Sequence, residues 1–301
     1  MTGEKLIRSI LEKERKRLGV PWEVVEKDYV ISWVIYGLST IPFLKDCLVF
    51  KGGTALKKMY FGDYRFSEDL DFSCLLDLPE ETKLDEYMNQ ACQNAQDKLE
   101  ETLPNPVLSV ERYTENKPHP EGQVAYTIRC KLPWHPEPRV KVMVEITRNE
   151  PVLITPSERE AITPFGHLLD NMDSSLKVYD LDEIIAEKLR AILQNIKKLH
   201  ERGWSRSRVR DYYDLWRILK DYKHVIFLKQ LPELTNKKCQ LKDVSFEKID
   251  DFFDPLLLEN AKKDWEQWLK PLVKDLPEFD FVISELREQL KEIIPYINCV
   301  K

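Results

Sequence analysis

Two carboxylates in the central part of the sequence have the spacing for metal-assisted phosphate chemistry. Asp69 and Asp71 alternate with Leu70 and Phe72, so in a β-strand the acids lie on one face and the apolar pair on the other. Like charges this close cost free energy unless a cation compensates them, and a divalent metal with oxygen ligands is suited to that task. The alternation predicts a strand with a buried apolar face and a pair of metal-ligating acids. A solvated edge strand is the simpler alternative.

Two glycines upstream supply the features of a phosphate-binding turn. Gly52 and Gly53 follow a short apolar run, Leu48 to Phe50, and precede the helix-like sequence ALKKMYF. A backbone without Cβ lets phosphate oxygens approach N–H groups at the start of the next helix. The order strand, glycine turn, helix, strand therefore predicts a site for a metal-bound nucleoside triphosphate, although a Gly-Gly pair can also be only a turn.

The pattern GGT-x-L…R-x-S-x-DLDF resembles the first motif of DNA polymerase β-type nucleotidyltransferases, and in this form that of the AbiEii/AbiGii toxin family of bacterial toxin–antitoxin systems. The resemblance implies an α/β (α+β) fold, with a nucleotidyltransferase lobe on a mixed sheet and a mainly helical C-terminal lobe. It also implies that Asp69 and Asp71 are catalytic metal ligands. The implied nucleotide-binding residues are Gly52, Gly53, Thr54, Arg65 and Ser67.

A third acid is predicted on another strand. In residues 139–147, Val144 and Ile146 alternate with Glu145, which is costly to bury without a partner. Glu145 either lies on an exposed sheet face or joins Asp69 and Asp71. The family takes a third catalytic and metal-ligating acid from such a setting, which the resemblance assigns to Glu145.

Lys188 and Asp211 match the family's third and fourth motifs. Lys188 interrupts the apolar face of a helix that begins after Asp180, so its ammonium either extends to water or binds the triphosphate. Asp211, the first Asp of R-x-x-D-x-x-D-L, is able to order Lys188 or a nearby arginine. The resemblance makes both residues catalytic. From the apolar stripe we expect Lys188→Met to preserve stability while lowering activity.

Residues 197–210 form a basic segment. Six Lys and Arg residues face one acid, Glu201, which gives a local charge of +5 around Trp204. Basic residues with an interleaved aromatic suit an RNA backbone and a stacked base, whereas the alternative is a solvated loop. The predicted RNA-binding residues are Lys197, Lys198, Arg202, Trp204, Arg206, Arg208 and Arg210.

Composition is that of a globular protein in a reducing compartment. The 301 residues are 43% hydrophobic and 33% charged, with a net charge of −6. The six cysteines show no metal-binding spacing, and we expect free thiols, a cytoplasmic location and no zinc. The most apolar run, residues 29–44, is too short to span a bilayer, so no membrane partner is expected.

The elements around these residues predict two lobes, residues 1–160 and 161–301. We expect two N-terminal helices, strands at 107–115, 123–132 and 139–147, a turn at 117–122 and an irregular segment at 150–178. Residues 26–29 resemble the N-terminal region of the family, whereas their charges alone are interpreted as a solvated helix face. Beyond residue 223 the helices show no chemistry.

Taken with the resemblance, these residues predict a toxin-type nucleotidyltransferase that uses Mg²⁺ or Mn²⁺ and a nucleoside triphosphate. The resemblance implies RNA as acceptor, with the 3′ end of tRNA the best candidate, and a cognate antitoxin as partner. Transfer to a small molecule or a protein, and an inactive nucleotide-binding or RNA-binding module, are the alternatives.

Overall fold

A mixed sheet of seven strands, within the described residues, organises the N-terminal part of the chain. The strand order is β3-β4-β5-β2-β1-β7-β6, with β2–β5 and β1–β7 parallel and the other pairs antiparallel. The strands are β1 Leu48–Lys51, β2 Asp69–Cys74, β3 Val107–Arg112, β4 Gln123–Lys131, β5 Val140–Thr147, β6 Ser157–Glu160 and β7 Ser175–Val178. The predicted mixed sheet is confirmed, and β2 and β1 lie at its centre.

The computed structural model describes residues 3–114, 123–165 and 174–293. The chain divides into two compact units, Met1–Tyr179 and Asp180–Lys301. The division therefore falls after Tyr179 rather than after residue 160. The reason is that β7 pairs with β1, which makes residues 175–178 part of the sheet.

The first unit begins with two helices, as predicted, and its apolar side chains pack them on the sheet. The helices are α1 Gly3–Leu18, α2 Trp22–Ser39, α3 Pro42–Cys47, α4 Gly52–Ala55 and α5 Glu81–Glu100. Helix α2 is buried on nearly all sides and packs against α5 and β5. Helix α4 continues directly into a π-helix, Leu56–Phe61. Single-turn π segments often occur at functional sites.

The interpretation of residues 26–29 as a solvated face is wrong. Glu26 and Asp28 are almost completely buried, at 2% and 1% exposure. Asp28 pairs with Lys58 at 2.8 Å, and Glu26 accepts a hydrogen bond from Trp134 Nε1 and lies 3.1 Å from His135 Nε2. Burial lowers the pKa of Lys58 to about 8, against the opposing effect of Asp28. Buried partners on other elements, which a single-helix pattern does not reveal, explain the difference.

The segment expected to be irregular at 150–178 contains two strands. β6 is exposed at the sheet edge, and β7 alternates between half-buried and buried positions. Each strand has only four residues, which is too few to establish an alternating pattern in the sequence. The predicted turn at 117–122 and Cys299 lie outside the described residues. The three predicted strands at 107–115, 123–132 and 139–147 correspond to β3, β4 and β5.

The second unit is helical. Its helices are α6 Leu181–Arg202, α7 Val209–Asp221, α8 Leu231–Gln240, α9 Pro255–Leu269 and α10 Phe279–Lys291, with short 3₁₀ turns at Lys223–Val225 and Ile249–Phe252. Asp180 is the predicted N-cap of α6 and accepts a hydrogen bond from the Asp182 N–H. Across the described residues, none of the helices is both long and apolar enough to cross a membrane.

Candidate functional site

Three predicted acids lie on one face of two paired strands. β2 runs parallel to β5, and the register places Asp71 opposite Glu145 and Asp69 opposite Met143. Paired strands are about 4.8 Å apart and residues two apart share a face, so Asp69, Asp71 and Glu145 are neighbours. All three are partly exposed, whereas Leu70 is completely buried on the other face. We call these three acids the carboxylate row.

The glycine turn lies directly against the carboxylate row. Gly52 has φ +78°, and a Cβ there would lie 2.5 Å from Asp71 Oδ2. A Cβ on Gly53 would lie 2.5 Å from Arg65 Nη2 and 3.0 Å from Ser67 Oγ. No larger residue fits at either position without displacing these groups. The structure thus brings together four predicted nucleotide-binding residues and one predicted metal ligand.

Thr54 holds the turn to the strand. Its hydroxyl donates to the Asp69 carbonyl oxygen at 2.5 Å, and the residue is 1% exposed. A hydrogen bond of this kind fixes the distance between the glycine turn and the first residue of β2. The structure therefore gives Thr54 a positioning role within the predicted nucleotide-binding set.

The loop between the π-helix and β2 is held by a buried lysine that the sequence did not single out. Lys57 is 3% exposed, donates to the Gly62 carbonyl oxygen at 3.1 Å, and lies 4.2 Å from the centre of the Phe66 ring. Arg65, which is 4% exposed, donates to the Phe66 carbonyl oxygen at 3.0 Å. These contacts fix the backbone from which Arg65 reaches the glycine turn.

A lysine on β1 adds positive charge to the face of the carboxylate row. The antiparallel register places Lys51 opposite Asp71. Its ammonium contacts the Glu150 carboxylate and lies 5.6 Å from the centre of the Tyr179 ring. Tyr179 in turn donates to Ser73 Oγ at 2.8 Å. Sequence reasoning missed Lys51, although its position before Gly52 was a usable signal.

The carboxylate row is chemically suited to a hard divalent cation. Its donors are all carboxylate oxygens, the ligands that Mg²⁺ and Mn²⁺ prefer. Asp71 and Glu145 are register neighbours, and Asp69 lies two residues from Asp71 on the same face. In the described parts of the chain, however, no group of three or more His, Cys, Asp or Glu side chains is gathered closely enough to hold a metal. The three acids of the row supply suitable oxygen ligands. Their side chains must move closer together to bind an ion.

A second group of charges lies between α6 and α7 of the helical unit. Lys188 is 7% exposed, and its Nζ lies 2.9 Å from Asp211 Oδ1 and 2.6 Å from Asp214 Oδ2. Arg208 Nη1 lies 3.2 Å from Asp211 Oδ2. The prediction that Asp211 orders Lys188 or an arginine is confirmed for both cations, and the extension of Lys188 to water is excluded. We call these four residues the Lys188 cluster.

Asp214 was missed as a site residue. It lies three positions after Asp211 in α7, on the same helix side, and its side chain is completely buried. The i,i+3 pair of acids following a basic segment was the available signal. Because burying a lone carboxylate is costly, the second Asp could have been predicted to need a cation.

The basic segment does not present all its charges together. Lys197 pairs with Asp243 at 2.6 Å, and Arg208 belongs to the Lys188 cluster. Arg210 lies 5.7 Å from the centre of the Trp268 ring. The local charge of +5 counted in the sequence therefore overstates the charge available to a phosphate backbone.

Several cations of the segment lie close enough to Lys198 to affect its charge. Burial lowers the pKa of Lys198. Positive charges nearby lower it further, and they belong to Arg208, Arg202, Arg190 and Arg206. Trp204, which lies between Arg202 and Arg206 in the sequence, is 69% exposed. Arg190 is paired with Glu187, so we call Lys198 with Arg202 and Arg206 the arginine patch. Like charges brought this close create a site that favours an anion.

Lys197 faces a different environment. It lines a surface groove of about 560 Å³ in the helical unit. The lining residues are Leu193, Ile196, Lys197, Asp243, Val244, Ser245, Lys248, Asp250, Asp251, Asp254 and Pro255. Four of them are aspartates, so the surroundings of Lys197 do not favour a phosphate backbone.

Comparison with known proteins finds a matching family and solved structures of similar fold. The family described as nucleotidyl transferase AbiEii toxin of type IV toxin–antitoxin systems matches residues 34–285. The fold is similar to that of MenT4, a nucleotidyltransferase toxin from Mycobacterium tuberculosis H37Rv, with a TM-score of 0.65 and 18% identity over 98% of this chain and 90% of that one. No curated protein matches the sequence.

Proposed function

Because the chain belongs to the AbiEii family of nucleotidyltransferase toxins, we propose that it transfers a nucleotide from a nucleoside triphosphate to the 3′ end of a tRNA. The observation that carries the proposal is the carboxylate row beside the glycine turn, with Gly52 in contact distance of the Asp71 carboxylate. The family consists of the toxins of type IV toxin–antitoxin systems, which implies a cognate antitoxin.

In the proposed reaction the acceptor hydroxyl oxygen attacks the α-phosphorus of the nucleoside triphosphate. The new P–O bond forms as the bond between the α-phosphorus and the α–β bridging oxygen breaks, and pyrophosphate leaves with that electron pair. Asp69 and Asp71 would hold divalent cations, with Glu145, the register neighbour of Asp71, as a further ligand, and Glu145 accepts the hydroxyl proton. When bound, the cations would neutralise phosphate charge and lower the pKa of the attacking hydroxyl.

Other residues of the proposed reaction bind and orient the nucleotide. The backbone of Gly52 and Gly53, with Ser67 and Arg65, contacts the phosphates, since their polar atoms converge on the glycine turn. Thr54 keeps that turn at a fixed distance from β2. Lys188 supplies the positive charge that the departing pyrophosphate requires.

RNA is the proposed acceptor because of the arginine patch. Its guanidinium groups favour a phosphate backbone, and the exposed Trp204 offers a ring on which an unpaired base stacks. The unpaired 3′ end of a tRNA presents both features.

The test is incubation of the protein with each α-³²P-labelled nucleoside triphosphate, MgCl₂ and total cellular RNA, followed by a denaturing gel. We expect label in the tRNA band with at least one nucleotide, and none with Asp71→Asn or with EDTA. Asp97→Asn, which changes an exposed carboxylate on α5, is the matched control. Label in protein or in small molecules instead of RNA would overturn the acceptor assignment, and no transfer to any acceptor would overturn the proposal.

A further inference from the structure

The two carboxylates that contact Lys188 differ in their surroundings. Asp211 keeps 15% of its side chain exposed and has a second cationic partner, Arg208, at 3.2 Å. Asp214 has no exposed side-chain surface, and its Oδ2 lies 2.6 Å from Lys188 Nζ. A completely buried carboxylate is costly unless charges or hydrogen bonds compensate it, and Lys188 does so for Asp214 at the shorter of its two carboxylate distances. Lys188 is therefore bound to an inner acid, Asp214, and an outer acid, Asp211.

The backbone holds Arg208 close to the outer acid. Arg208 is the N-cap residue of α7 with φ +57°, a left-handed conformation that is uncommon for a residue with a side chain. The Asp211 N–H donates to the Arg208 carbonyl oxygen at 3.0 Å, which places the two side chains in the same first turn. Asp211 thus keeps a cation even when its contact with Lys188 is released.

We infer that Asp214 is the positioning residue for Lys188, whereas Asp211 is an exchangeable partner. Asp214 fixes the position of the Lys188 ammonium group between α6 and α7. Asp211 can release the same ammonium towards an anionic phosphate, because Arg208 remains to compensate it. This inference rests on the proposed function for the part played by Lys188 in phosphate binding, and on the geometry alone for the part played by Asp214.

The first test compares Asp214→Asn with a matched control, Asp182→Asn. Asp182 is also a buried acid of the helical unit, at 1% exposure, but its carboxylate accepts from the Phe227 N–H and Gln230 Nε2. Amine-reactive labelling of Lys188, measured by mass spectrometry, should rise at least several-fold in Asp214→Asn and stay unchanged in Asp182→Asn. This readout requires no transferase activity, so its result stands even if the proposed reaction is wrong.

The second test is kinetic. Asp214→Asn should lower kcat by about a hundredfold, the scale of a misplaced catalytic group, while KM for the nucleotide changes less than threefold. A purely structural role would reduce the folded fraction and leave kcat per folded molecule intact, as we expect for Asp182→Asn. Unchanged Lys188 labelling, or equal kcat for the two variants, would overturn the inference.

A double variant decides the matter if Asp214→Asn does not fold. Lys188→Met removes the cation and leaves the charged carboxylate of Asp214 buried. The double variant, Lys188→Met with Asp214→Asn, removes both charges of this pair. The double variant should therefore melt at a higher temperature than Lys188→Met, and adding Asp182→Asn to Lys188→Met should give no such recovery. A double variant that melts below the Lys188→Met single variant would show that Asp214 has another partner of greater importance, which would overturn the inference.

Discussion

The carboxylate row on β2 and β5 and the Lys188 cluster in the helical unit contain similar residues but compensate charge differently. In the row, three acids share one sheet face, and the lysine opposite Asp71 in the register contacts Glu150. In the cluster, two acids and two bases neutralise one another. The acids of the row are partly exposed, whereas Lys188 and Asp214 are buried, so a substitution in the row leaves its neighbours near solvent and one in the cluster leaves a buried charge.

This difference predicts opposite effects on stability for substitutions in the two regions. Removing a partly exposed acid from the row should change stability little, so the fold is retained and chemistry is lost. Removing a charge from the cluster leaves a buried partner behind, so stability and chemistry are lost together. The following predictions test that contrast.

The largest effect is expected for Asp71→Asn. Loss of a proposed metal ligand should cost several kcal/mol of transition-state stabilisation, or about a thousandfold or more in nucleotide transfer. The melting temperature should change little, because Asp71 is partly exposed. Transfer assays and thermal unfolding measure the two quantities, with Asp97→Asn as control. Near-normal turnover in a folded Asp71→Asn protein would contradict the metal assignment.

Lys188→Met should destabilise the protein, the reverse of what the apolar stripe of α6 indicates. The substitution leaves Asp214 buried, and breaking a buried ion pair from one side costs about 3–5 kcal/mol. Urea unfolding measures the change. Lys237→Met, which removes an exposed pair with Glu233, is the control and should cost less than about 1 kcal/mol. Equal stability for the two variants would show that the Lys188 pair contributes nothing.

Lys58 predicts a dependence of stability on pH. Burial lowers its pKa from 10.5 to about 8 in the folded protein. Between these values the unfolded chain binds more protons than the folded one, so stability should rise with pH from about 8 towards 10.5. The slope is at most about 1.4 kcal/mol per pH unit. Urea unfolding at three pH values across this interval measures it. The rise should disappear in Lys58→Met and persist in Lys237→Met.

The smallest effect is expected in the arginine patch. Arg202→Gln with Arg206→Gln should flatten the plot of log K against log salt for RNA binding by about 0.7 for each phosphate that the protein no longer neutralises. Lys197→Gln, whose charge is already paired with Asp243, is the control and should leave the slope unchanged. Arg208 is left out of this experiment because it belongs to the Lys188 cluster. Equal slopes for the wild type and the double variant would remove the patch from RNA binding.

The sequence predicted the carboxylate row well because its signal is local. Alternation of Asp69 and Asp71 with apolar residues follows directly from strand geometry, and the same alternation placed Glu145 on an accessible face. The glycine turn could also be predicted from the sequence, since Gly52 has the positive φ that a residue with a side chain rarely adopts. In these stretches a few consecutive residues contain the whole pattern.

Prediction failed where partners are distant in sequence. Asp28 is buried because Lys58 compensates it, and Lys197 forms an exposed ion pair with Asp243. No periodicity within one element reveals such pairs. The strand β7 was not predicted for a related reason. Its four residues are too few to establish a pattern, and its place in the sheet depends on pairing with the distant strand β1.

The pairing of β7 with β1 also determines when the sheet can be completed during synthesis on the ribosome. β1, whose Leu48, Val49 and Phe50 are fully buried, lies between β2 and β7. A nascent chain that has emerged only as far as residue 160 would leave one edge of this apolar strand open, which is a template for aggregation. The glycine turn at the end of β1 therefore reaches its final support only after residue 178 has been synthesised.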